Sequence, residues 1–120
     1  MAVYKLARFD VRPEARDEAE RAMHAFASFV RQELEGSQWT SYRDKSNPGR
    51  YVCVSRAEDA AAYQRYSDAV GTKALLETLE PLVTGVIEQS EYELMTSSDL
   101  APRHRDRDRG SARSRRRLGG

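Results

Sequence analysis

Cysteine is nearly absent: Cys53 is the one cysteine in 120 residues. A lone cysteine excludes an intramolecular disulfide and suits a reducing compartment. Histidine is almost as scarce, with His24 and His104 alone, and two such histidines and one cysteine do not make a metal site. Long apolar runs are missing, so no segment has the length of a membrane span. Met1–Val11 carries Lys5, Arg8 and Asp10 and lacks the continuous apolar stretch of a secretory leader. The expectation is a cytoplasmic protein without a membrane partner. No glycine-rich phosphate loop is present. Gly36, Gly49, Gly71 and Gly85 stand singly and read as turns or stops. That argues against a nucleotide or flavin, and neither a cofactor nor a metal is expected.

Charge is plentiful but unevenly divided. Residues 1–95 carry 12 Lys and Arg against 16 Asp and Glu, whereas residues 96–120 carry 8 Arg against 3 Asp. Apolar residues almost vanish from Thr96 onward, so 96–120 is expected to be a disordered Arg-rich tail and 1–95 a single domain. The tail has no aromatics for base stacking, and Asp99, Asp106 and Asp108 interrupt its basic run. Nucleic acid is therefore not the expected partner.

Hydrophobic periodicity orders the domain. Val3–Val11 alternates as a strand, with Lys5, Ala7, Phe9 and Val11 on one side and Tyr4, Leu6 and Arg8 on the other, and either side can be the buried one. Arg12-Pro13-Glu14 starts a helix that runs to about Leu34. Ala15, Ala19, Ala22, Met23, Phe26, Phe29 and Val30 form its apolar stripe, and His24 lies opposite, toward solvent. Ser37–Arg43 is a second strand, joined through Lys45–Gly49 to a third around Tyr51–Val54. Ser55 and Glu58 fit a capping box. The helix behind it carries Ala62, Tyr63, Tyr66 and Val70 on one face, and Gly71-Thr72 is expected to break it. A second helical piece bears Leu75, Leu76, Leu79 and Leu82. Val86–Met95 is the last strand. Strand, helix, strand, then strand, helix, strand is the ferredoxin-like order of an α+β fold.

The stretch Gly49–Leu82 carries a resemblance. The turn Pro48-Gly49-Arg50-Tyr51, a strand, an Ala-rich helix, the aromatic Tyr66, and Lys73-Ala74-Leu75-Leu76 running to Pro81-Leu82 resemble the antibiotic biosynthesis monooxygenase family. The resemblance covers roughly the first 95 residues and lies in element order and spacing. It implies a ferredoxin-like βαββαβ protomer that pairs sheet to sheet as a homodimeric α+β barrel. It also implies cofactor-independent oxidation, by O2, of small or polycyclic aromatics such as quinols and anthrones. The family often has Trp just after the third strand and His in the following helix; aligned without gaps, those positions are Arg56 and Tyr66. Haem degradation, found among relatives, is disfavoured by that change.

The resemblance makes Tyr66 a candidate for proton handling or ligand orientation, against the plainer reading of a core tyrosine. Arg56 is a candidate to stabilise a phenolate or enolate, against a surface arginine. If Arg56 faces a pocket, alternation brings Val52 and Val54 to the same side, and in the gapless alignment that the resemblance implies, Tyr42 sits opposite Val52. Tyr63 and Trp39 complete the candidate aromatic lining; each is equally a core aromatic. Cys53 reads as a small buried residue, not a nucleophile. The rival to an oxygenase is a catalytically silent barrel that binds a small aromatic or assists a partner enzyme.

Overall fold

The computed structural model describes residues 1–100 and Pro102. Its elements are β1 (Val3–Val11), α1 (Arg16–Glu33), β2 (Ser37–Arg43), β3 (Arg50–Ala57), α2 (Ala60–Asp68), α3 (Val70–Leu79) and β4 (Val83–Tyr92). Short 3-10 turns, Pro13–Ala15 and Glu80–Leu82, lead into α1 and β4, and a third, Ser98–Leu100, follows β4. The four strands form one sheet in the order β2-β3-β1-β4, with every pair antiparallel. This is the ferredoxin-like α+β fold. Most of the expected tail lies outside the described residues.

The helices cover one face of the sheet. Alternation decides which: Phe9 and Val11 of β1 and Tyr51, Cys53, Ser55 and Ala57 of β3 are buried beneath them. The α1 stripe answers with buried Ala19, Met23, Phe26 and Val30. Phe26 meets Trp39 edge-on at 5.1 Å and Tyr66 at 6.0 Å between ring centroids, a geometry aromatic quadrupoles favour. No described helix lies over the opposite face. Tyr4, Leu6, Val52 and Val54 are partly exposed there, and Tyr42 and Tyr92 are 57% and 56% exposed.

Three local expectations are corrected. The helix break falls at Ala69, not at Gly71-Thr72. Ala69 is extended (φ −64°, ψ 140°) and serves both as the end of α2 and as the N-cap of α3. Gly71 lies inside α3 for a packing reason: a Cβ there would sit 2.6 Å from the Phe29 ring. The new helix also resets the phase of the stripe, so Val70 is 78% exposed instead of sharing a buried face with Tyr66. Second, α2 is capped by Asp59, whose carboxylate accepts from the Ala62 amide at 2.8 Å. Ser55 cannot cap it, because Ser55 belongs to β3. Third, β4 begins at Val83 and passes through Gly85. Asp10 pairs with Thr84 and Arg8 with Glu88, so Gly85, Val86 and Ile87 stand where β1 has Phe9 alone. Gly85 adopts φ +79°, which a side chain would resist, and the bulge forms there.

Candidate active site

A narrow cavity of about 50 Å³ lies between the covered face of the sheet and α2–α3. Its walls include Phe9, Trp39, Cys53, Leu75, Leu79 and Ile87, and its polar groups are Lys5, Ser55, Tyr66, Thr72 and Gln89. A mainly apolar hollow with a few converging polar groups is the usual form of a small-molecule site. The volume holds about one or two water molecules.

Tyr66 projects from α2, 7% exposed, and its Oη lies 2.6 Å from Ser55 Oγ. Ser55 is the one buried polar or charged residue among those described. Burial pushes the Tyr66 phenol up to about 12, and the Ser55 hydrogen bond only partly opposes it. At neutral pH Tyr66 is thus a neutral phenol, able to donate a hydrogen bond but not to serve as a ready base. Tyr63 stacks on it at 6.4 Å and donates to Glu91 Oε2 at 2.8 Å. Burial also raises the Tyr63 phenol.

Cys53 is buried as expected, and burial raises its thiol to about 11. It donates to Ser41 Oγ at 3.6 Å, and Ser41 donates to Met23 Sδ at 3.3 Å. Thr72 stands in the first turn of α3, and its hydroxyl is buried with no hydrogen-bond partner among the described residues. No ion pair joins Lys5 to any described residue; its cross-strand neighbours are Ser55 and Glu91. Among the described residues, no carboxylate and no histidine line this cavity.

The seven residues singled out from the sequence do not converge. Tyr66 and Trp39 line the cavity, and Tyr63 packs beside them on the helix side. Arg56, Val52, Val54 and Tyr42 occupy the other face of the sheet. Register explains it: Tyr42 does pair with Val52, but both alternate away from Tyr51, Cys53 and Ser55, which face the helices. Val52, Val54 and Arg56 do share one side, with Tyr42, as expected of a wall, but that side is turned away from the cavity that Tyr66 lines. Arg56 donates to Tyr4 Oη at 3.1 Å, and its guanidinium carbon stands 5.9 Å from that ring's centroid. Lys5, Thr72 and Gln89 were not singled out. Lys5 had a legible signal, since it shares its strand face with Phe9 and Val11. Thr72 and Gln89 had none, because they reach the cavity only through the Ala69 break and the β4 bulge.

A wider surface groove of about 420 Å³ runs beside α1 and β2. At its floor the Glu20 carboxylate accepts two bonds from Arg43, at 2.6 and 3.0 Å, and one from Tyr51 Oη at 2.6 Å. The Arg43 guanidinium, aided by Tyr51, holds that carboxyl below its ordinary range. These groups satisfy one another, which leaves the smaller cavity as the better candidate. His24 lines this groove and is exposed.

The family model for antibiotic biosynthesis monooxygenases matches residues 2–81. The chain belongs to that family. No curated protein matches the chain. Among solved structures, Rv0793 from Mycobacterium tuberculosis is 18% identical with a TM-score of 0.74, covering 82% of this chain and 99% of its own. A conserved protein from Methanosarcina mazei Go1 is 18% identical with a TM-score of 0.71, covering 77% and 91%. SnoaB, a cofactor-independent oxygenase from Streptomyces nogalater, is 22% identical with a TM-score of 0.70, covering 81% and 96%. At these identities the likeness is one of fold. Ile87 and Gln89 lie beyond the matched residues, so β4 contributes to the cavity from outside the family match.

Proposed function

We propose that the chain is a cofactor-independent monooxygenase that oxidises an electron-rich aromatic, of the quinol or anthrone type, with O2. The observation that carries this reading is the apolar cavity with converging hydroxyls, in a chain of this family. The substrate supplies all the electrons. In an anthrone a ring CH2 becomes C=O; in a quinol a ring C–H becomes C–OH while the two hydroxyls become carbonyls; in each, one oxygen atom enters the product and the other leaves as water with two substrate hydrogens. Ionised substrate gives an electron to O2 directly, and the protein contributes a dry cavity and charge stabilisation. Tyr66 donates a hydrogen bond that orients the reacting oxygen, Trp39 walls the ring, and Tyr63 supports Tyr66 from behind.

A cavity of about 150 Å³ is what takes one benzene ring. The described cavity is about 50 Å³, so a ring rests at its mouth or α3 swings outward. Ala69 offers the pivot, because its extended backbone already separates two helices. The partner is a second copy of the chain, packed sheet to sheet and working in the cytoplasm. The uncovered face with Tyr42, Val52, Val54 and Tyr92 supports the pairing, since a small domain gains by removing such a patch from water.

Oxygen-electrode assays with hydroquinones and anthrones test the reading. Oxygen uptake with one labelled atom in the product is expected. Ligand binding without oxygen uptake would refute it and favour a silent binding barrel. One observation already leans that way: among the described residues, neither a carboxylate nor a histidine lines the cavity to take the substrate's proton.

A further inference from the structure

We propose that Lys5 and Thr72, with the first turn of α3, form a binding point for an ionised substrate oxygen. The inference rests on the substrate reading above and deepens it by naming the groups that hold the ligand's charge. Lys5, partly exposed, lines the cavity on the face that otherwise carries Ala7 and Phe9, and no described carboxylate pairs it, so its charge is available to a ligand. Its cross-strand neighbour Glu91 accepts a hydrogen bond from Tyr63 and makes no ion pair with Lys5. Thr72 brings a buried hydroxyl that lacks a partner. Such a donor in a native fold asks for an acceptor. Thr72 stands at the start of α3, which carries no side-chain cap, so the positive end of the helix dipole adds to the field of Lys5.

Charge then explains how a ligand ionises where no described carboxylate or histidine lines the cavity. A phenol or enol whose oxygen reaches Lys5 is more acidic than in water, because a nearby cation favours the anion. Its proton can pass to solvent without a carboxylate or imidazole in the wall. Tyr66, held as a neutral phenol beside Ser55, is left to donate to the same oxygen. The ligand class is a flat apolar molecule with one ionisable hydroxyl, not an uncharged aromatic.

The test uses the full chain with 4-nitrophenol, whose ionised form absorbs visible light, and nitrobenzene as its uncharged partner. Trp39, the single tryptophan, reports occupancy by quenching. Wild type is expected to bind nitrophenol more tightly than nitrobenzene and to lower its ionisation midpoint by about one unit, a tenfold preference for the anion. Lys5→Met should erase that preference while leaving nitrobenzene affinity intact, and Lys5→Arg should restore most of it. Thr72→Val, read the same way, should weaken the preference and covers the case in which Lys5→Met fails to fold. Equal binding of both compounds with no change in midpoint would overturn the anion point alone. Binding of neither would overturn the cavity reading and this inference together.

Discussion

Replacing Tyr66 with Phe isolates the hydroxyl that joins α2 to β3. The ring keeps its edge-on contact with Phe26 and its stack on Tyr63. What disappears is the 2.6 Å bond to Ser55, and both partners are 7% exposed. A lost neutral hydrogen bond costs about 1 kcal/mol, and stranding the buried Ser55 hydroxyl adds about 1 kcal/mol more. For a domain of this size each kcal/mol moves the melting temperature by about 4–8 °C. The single variant should therefore melt about 10 °C lower, and Ser55→Ala should lose a similar amount by stranding the phenol. The double variant should not lose the sum, because no orphan remains once both groups are gone; a coupling of about 1–2 kcal/mol is expected. Thermal melts by circular dichroism, at one fixed protein concentration, measure all four corners of the cycle. Turnover of a hydroquinone, measured well below every melting temperature, should fall in both variants that lack the phenol and stay closer to wild type in Ser55→Ala. Additive thermal losses would refute the hydroxyl-pair argument, and full turnover in a folded Tyr66→Phe would remove the phenol from the reaction.

Alkaline stability is a second expectation. Burial raises Cys53 from 9.0 to about 11 and Tyr66 from 10.0 to about 12. Both groups hold their protons more tightly when folded, so their contributions are complete below pH 9 and are lost as pH rises toward about 12. Denaturant titrations should show the midpoint falling above pH 9, and Cys53→Ala should delay the first part of that fall; a flat profile to pH 11 would contradict it. Gly71→Ala should destabilise by about 1–3 kcal/mol through overlap with Phe29, despite the better helix propensity of alanine; a gain in urea midpoint would mean the ring moves freely. Arg56→Ala, across the sheet from the cavity, should weaken self-association in sedimentation without slowing turnover of the associated protein. A rate loss at matched association would return Arg56 to the chemistry.

The order of elements was legible because each strand and helix announces its own period, and Phe9, Val11, Met23 and Phe26 repeat at the spacings that bury them. The pairing of Tyr42 with Val52 came instead from alignment with the family, and it holds. The direction of the β3 face was not legible. Val52 and Val54 are more apolar than Cys53 and Ser55, so intrinsic preference pointed the wrong way; Tyr51 and the helices above it decided the outcome. A strand between two apolar faces conceals which one the helices will cover. The break at Ala69 was obscured by a local cue, since a glycine at 71 reads as a stop until Phe29 is seen against it. The cavity's own composition needed three elements to meet, and no window of sequence contains Lys5, Thr72 and Gln89 together.

The chain that runs from Cys53 through Ser41 to Met23 has a consequence for durability. Chemistry that leaks reduced oxygen species would threaten any sulfur in the cavity wall. Peroxide attacks thiolate, not thiol. With its thiol raised to about 11, Cys53 is ionised in about one molecule in ten thousand at pH 7. Met23, at 4% exposure beneath the sheet, is shielded by packing instead. The same burial that denies Cys53 a role as nucleophile would let it survive beside an oxidant, turning a vulnerable atom into an inert piece of wall.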